Sequence, residues 1–154
     1  ANGPAWVPSH IRSVTSNEDE IKLISQMDTK NEATVNETEF GKVQTGSGSV
    51  NITSQKPNEL KYSVEATKAG LVVFSEIYYP KGWKALVNGQ DADIIRTNYL
   101  LRGISVPAGK SEVLMKFEPD SYYKTKNVTV IFQYLILVTM FAGIFLSVKP
   151  FPKP

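Results

Sequence analysis

The side chains with the most chemistry to offer gather between residues 78 and 102. Tyr78, Tyr79, Trp83 and Tyr99 supply aromatic faces, and Arg96, Asn98 and Arg102 supply hydrogen-bonding groups close by in sequence. Flat rings beside directional donors and acceptors are suited to stacking on a sugar and reading its hydroxyls. The same rings, placed in strands, also cover a sheet and stabilise it by burying area. These seven residues are therefore the candidate surface for a glycan or a partner, with core and rim packing as the alternative.

Catalysis finds less support. Glu76, Asp91 and Asp93 suggest a glycosidase pair only if two of them are held at a fixed separation across a cleft, and acids beside turns are ordinarily solvated. His10 is the single histidine and there is no cysteine, so a histidine triad, a zinc site, a thiol nucleophile and a disulfide framework all lack their ingredients. Glycine-rich phosphate loops are also missing. The expectation is a chain with no catalytic residue, no metal and no cofactor. A formal charge of +2 with scattered basic residues gives no stripe to neutralise a phosphate backbone, which argues against nucleic acid.

What must position these residues is mostly sheet. A chain of 154 residues, 42% hydrophobic and 21% charged, suits one folded domain with an appendage. Residues 5–14 carry scattered apolar groups and include Pro8, which suits an edge strand because proline cannot donate to an interior ladder. A short helix follows, with Ser16 and Asn17 as caps, Glu18, Asp19 and Glu20 in its first turn, and Ile21, Leu23, Ile24 and Met27 as its apolar face, ending near Asp28. Residues 33–119 then read as strand after strand, at 50–54, 60–66, 71–77, 83–87, 92–96, 99–106 and 112–117, with 45–49 as a polar Gly/Ser loop. Asn88-Gly89 is the sharpest hairpin signal, since a type I′ turn needs positive φ at both positions; it predicts pairing of 83–87 with 92–96. Pro107-Ala108-Gly109-Lys110 reads as a second tight turn. Leu60, Tyr62, Val64 and Ala66 share one face, as do Val113, Met115 and Phe117, while Glu112 and Lys116 face away; this period of two marks antiparallel strands with one side on a core. The expected fold is mostly β, an antiparallel β-sandwich of jelly-roll or Ig-like type.

Residues 128–148, VTVIFQYLILVTMFAGIFLSV, would span roughly 30 Å as a helix, the thickness of a bilayer's hydrocarbon core. Thr129, Gln133, Thr139 and Ser147 read as forming no continuous polar face. The predicted organisation is a water-facing domain at 1–123, a juxtamembrane linker at 124–127, a transmembrane helix at 128–148 and a short tail at 149–154. Tyr122 and Tyr123 suit the membrane interface. Lys124 and Lys126 before the span balance Lys149 and Lys153 after it, but Glu118 and Asp120 lie only upstream, which leans towards a cytoplasmic tail with the domain outside. Ala1 and the lack of a basic, then apolar, leader suggest a C-terminal piece whose export depends on an earlier span of the same parent.

The segments Ser75-Glu76-Ile77-Tyr78-Tyr79-Pro80-Lys81-Gly82-Trp83, Asn88-Gly89, Arg96-Thr97-Asn98-Tyr99-Leu100-Leu101-Arg102-Gly103, Val106-Pro107-Ala108-Gly109 and Phe117-Glu118-Pro119 follow one another in order. This succession resembles the C-terminal extracytoplasmic domain of YfhO-like bacterial membrane proteins, with its last membrane helix, and Asn2-Gly3-Pro4-Ala5-Trp6 with the acidic helix fits the preceding block. Lys81 is inserted between Pro and Gly, and Asn88 replaces the usual Asp; both lie in turns. The resemblance implies a polytopic inner-membrane protein related to lipid-linked-sugar glycosyltransferases. Its partners would be the bilayer, the upstream transmembrane region and a cell-envelope glycan. Its catalytic loops lie upstream of this chain, so no catalytic residue carries over. The alternative is a purely structural module bracing the membrane portion. In a bacterial chain the Asn-X-Thr triplets at Asn36, Asn51 and Asn127 read as fortuitous.

Overall fold

In the computed structural model, which describes residues 3–148 and all their side chains except those of 120–124, 126, 127 and 148, Pro8 divides the expected N-terminal strand in two. β1 (Ala5–Trp6) and β2 (His10–Val14) flank the break and lie at opposite edges of one six-stranded sheet. Five flat strand spacings would separate those edges by about 24 Å, whereas the four steps from Trp6 to His10 reach at most about 14 Å. The sheet therefore curls until its edges approach each other.

Helix α1 (Asn17–Ile24) starts where its cap chemistry places it: Ser16 Oγ accepts the Asp19 N–H at 3.1 Å and donates to Asp19 Oδ2 at 2.9 Å. It stops four residues short of Asp28, with Ser25 as its C-cap. Its buried face differs from the apolar one expected, since Ile21 is exposed and Glu20 is fully buried. β3 (Glu32–Asn36), not expected as a strand, pairs parallel to β2 with α1 as the crossover, an exception in an otherwise antiparallel fold. A single turn, α2 (Glu37–Phe40), follows.

Of the next strands, those over Glu59–Lys68 and Gly109–Phe117 alternate as the sequence predicts. β4 (Ser47–Lys56), β5 (Glu59–Lys68) and β6 (Gly70–Ile77) lead to β7 (Trp83–Val87) and β8 (Gln90–Ala92), then β9 (Ile95–Thr97), β10 (Leu101–Val106) and β11 (Gly109–Phe117). The Gly/Ser segment expected as a loop is partly strand, since β4 begins at Ser47. Asn88 and Gly89 both take positive φ, 53° and 82°, and close the β7–β8 hairpin. The expected strand 92–96 is broken. Its start belongs to β8 in one sheet, while Ile95–Thr97 crosses to the other and pairs with β10, so only the first part pairs with β7.

The result is a two-sheet sandwich with strand orders β1-β6-β10-β9-β3-β2 and β4-β5-β11-β7-β8. Its main core lies between the sheets and takes Leu60, Tyr62, Val64, Val72, Phe74, Ile104, Val113 and Met115, each such side chain contributing about 1.5–3 kcal/mol of burial. A second core of Ala33, Val35, Leu71, Val73 and Ile95, flanked by Trp6, Phe40 and Leu101, fills the other face of the curled sheet. Among the described residues β4 is the one long edge; it pairs only with β5, and its register shifts at Ser47/Gly48 and again at Ile52/Ser54.

The chain forms a second compact unit from Pro119 onward. Helix α3 runs unbroken over Asp120–Val148, so residues 124–127, expected as a linker, have helical backbone. Val128–Ser147 has a mean hydropathy of 2.2 and no part of it is buried by protein. Thr129, Thr139 and Ser147 donate their hydroxyls to the carbonyls of Thr125, Ile136 and Gly143 at 2.7–2.9 Å, which suits a segment without water to bond. The side chains of Tyr122, Tyr123, Lys124, Lys126 and Asn127, and all of residues 149–154, lie outside what is described.

Candidate functional site

The loop from β6 to β7 and the crossing from β8 to β9 enclose an open cleft of 440 Å³, lined by Tyr78, Tyr79, Pro80, Trp83, Lys84, Asp91, Asp93 and Ile94 among others. Three of the seven expected side chains thus meet at one surface. Tyr79 is exposed. Tyr78 is held by its N–H to the Leu100 carbonyl at 2.6 Å and by an edge-on ring contact with Phe40 at 5.9 Å. Burial, then the nearby Glu39 carboxylate, raise its phenol above the ordinary tyrosine range.

Arg102 supports this rim from inside. Strand alternation turns it into the space between the sheets, where its Cζ lies 4.0 Å from the centroid of the Trp83 ring. Its Nε donates to the Ile77 carbonyl at 2.9 Å and its Nη1 is buried with no protein partner. Burial lowers its pKa, with Glu76 acting the other way, but a guanidinium keeps its proton at any ordinary pH. Trp83 therefore has a buried cation against one face, a tilted contact with Phe117 at 5.4 Å, and its remaining surface towards the cleft. Gly103 follows because a Cβ there would lie 2.6 Å from Thr97 Cγ2 and 2.8 Å from Leu71 Cδ1.

Arg96, Asn98 and Tyr99 go elsewhere. They surround Glu20, whose Oε1 accepts from Thr34 Oγ1 at 2.8 Å and from the Tyr99 N–H at 3.0 Å, while Oε2 lies 3.8 Å from Arg96. Arg96 also donates to Asn17 Oδ1 at 2.6 Å and Glu39 Oε2 at 2.9 Å, and its Cζ lies 5.3 Å from the centroid of the Tyr99 ring. Asn98 Oδ1 accepts the Thr34 N–H at 2.7 Å. Asn98 and Tyr99 hold positive φ, 46° and 63°, strain of about 1–3 kcal/mol each that this network offsets. The three side chains form a latch joining α1 and β3 to the β9–β10 turn, with none of them lining the cleft.

Of the acids considered as a hydrolase pair, Asp91 and Asp93 line the cleft and Glu76 does not. Sequence reasoning missed Lys84, Pro80 and Ile94 in the rim and Asn17, Thr34 and Glu39 in the latch. No local pattern gives them these places, because the elements that carry them meet only where the chain passes from β8 in one sheet to β9 in the other. Among the described residues no three His, Cys, Asp or Glu side chains gather as a metal site. A second hollow of 380 Å³ at the opposite turns, around Gly48, Glu65 and Gly109, has its Lys110 and Glu65 already paired at 3.2 Å.

The sequence model of a family described as bacterial membrane protein YfhO matches residues 24–129. The chain belongs to the YfhO family. No curated protein and no solved structure matches it. The match covers both the rim and the β9–β10 turn of the latch, and the apolar helix that follows agrees with a membrane protein. Lys81 and Asn88 both fall in turns, Asn88 taking the positive φ the hairpin needs.

Proposed function

We propose that this chain is the non-catalytic, extracytoplasmic part of a polytopic YfhO-family protein of the bacterial inner membrane, and that its aromatic cleft contacts a cell-envelope glycan. The observation that carries the proposal is the cleft itself: Tyr78, Tyr79 and Trp83 meet at one solvent-open hollow beside two carboxylates and a lysine. Rings offer the apolar faces on which a pyranose stacks, and charged oxygens accept its hydroxyls. The parent's glycosyl-transfer chemistry would reside in membrane segments outside this chain. Lysines flank the span equally, and the acids Glu118 and Asp120 on the domain's side lean the reading towards a domain outside.

The test is titration of the full chain in nanodiscs with cell-envelope oligosaccharides, read by Trp83 fluorescence in a Trp6→Phe background. A saturable change that Tyr79→Ala weakens supports the proposal. No response at Trp83 leaves a domain that braces the membrane portion without binding sugar. Turnover of a glycoside by the chain alone would overturn the non-catalytic assignment.

A further inference from the structure

The cleft's charge points to the kind of glycan it takes. Asp91 and Asp93 both line it and both are exposed, and neither carboxylate has an ion pair or a side-chain hydrogen bond among the described residues. Asp91 sits on β8, a three-residue edge strand opposite Leu86, and Asp93 sits where the chain leaves that sheet for the other. Neither position is needed to close a core. The one cation in the lining, Lys84, lies 3.5 Å from Glu118 Oε2, so its charge is partly answered from outside the cleft. Two other cations lie nearby and neither is part of the lining: Arg102 stacks on the inner side of Trp83, and Lys81 sits exposed in the loop after Pro80. A ligand stacked on the rings therefore meets a net negative wall.

We infer that the cleft selects glycans built of amino-sugar or neutral units and disfavours glycans bearing carboxylate or phosphate. This rests on the glycan reading proposed above and adds a charge class to it. A sugar ammonium placed beside Asp91 and Asp93 gains one or two exposed ion pairs. A uronate or phosphate meets like charge in the same place and must also desolvate against it.

The experiment compares three tetrasaccharides on the full chain in nanodiscs of zwitterionic lipid: glucosamine, N-acetylglucosamine and galacturonate oligomers. It is run at about pH 5.5, above the ordinary carboxylate range and below the ordinary amine range. The expected order is glucosamine tightest, by about fivefold over the acetylated oligomer, with galacturonate weakest. The gap should shrink at high salt, as screening of exposed charges requires. Asp91→Asn with Asp93→Asn should bring the three within about twofold of one another, and Asp93→Asn alone should go part of the way, with an unchanged circular-dichroism spectrum showing that each variant is folded. Galacturonate binding as tightly as the neutral oligomer, or an order that the double variant leaves unchanged, overturns the charge selection while leaving glycan binding in place. Silence of Trp83 towards all three overturns the glycan reading and this inference with it.

Discussion

The rim and the latch are drawn from the same short stretch of sequence, yet their side chains are committed to different degrees. Glu20, Arg96, Asn98 and Tyr99 direct most of their polar groups to one another and to Thr34, Asn17 and Glu39, with Glu20 Oε2 and Arg96 Nε the buried atoms left without a hydrogen bond. Tyr79, Asp91 and Asp93 leave their side chains exposed at the cleft. A charged or aromatic residue near a turn is thus no guide by itself to what it does. Whether its bonding capacity is already used separates a part that holds the fold from a part that meets a ligand. Tyr78 touches both regions, lining the cleft while lying close enough to Glu39 and Arg96 for both to act on its phenol.

The contrast breaks most sharply at Glu20. Replacing it with alanine leaves Arg96 without that carboxylate, the buried Thr34 hydroxyl with only the 3.4 Å contact to Asn98 Oδ1, and the part-buried Tyr99 N–H without its acceptor, so we expect a loss of about 2–3 kcal/mol, read by thermal melting of the full chain in detergent. Gly103→Ala comes next, at about 2 kcal/mol, because the new methyl must push aside Thr97 and Leu71. Tyr62→Phe sharpens the comparison from the core. The Tyr62 hydroxyl is buried with no protein partner, and burial raises its pKa from 10.0 to about 12, so the folded state favours the neutral phenol. That contribution is intact below about pH 10 and is lost as pH rises towards 12. The phenylalanine variant should change stability at pH 7 by under about 1 kcal/mol and blunt the alkaline unfolding seen by ultraviolet absorbance. Smallest of all, Tyr79→Ala should move the melting temperature by the equivalent of about 0.5 kcal/mol or less; a larger drop would place this ring in the framework after all.

Much of the sandwich was legible because burial on one face leaves a period of two. Leu60, Tyr62, Val64 and Ala66 announce β5, and Asn88-Gly89 announces its hairpin, by physics local to each segment. β3 was not legible. Ala33 and Val35 do alternate with Thr34 and Asn36, but the run is too short and too weakly apolar to stand out, and its polar pair is buried rather than in water. Glu20 looked like an ordinary first-turn acid, since a helix dipole and a buried network favour the same residue type. The split of 92–96 between two sheets depends on where Ile95 finds its partner, Gly103, and no short-range pattern encodes that. At the candidate site the aromatic members were visible in sequence. Their sorting into rim and latch, and the part played by Asp91 and Asp93 in the cleft, were not.

The curl of the six-stranded sheet bears on how these molecules keep apart from one another. Its two borders are strands of two and five residues that bend towards each other, offering a neighbouring copy little straight backbone to zip onto. Among the described residues only β4 presents a long open ladder, and its two slips of register interrupt the even spacing that a stacking strand would need. Copies crowded side by side on one membrane would thus resist joining into fibrils, even at the high local concentration that confinement to a surface creates.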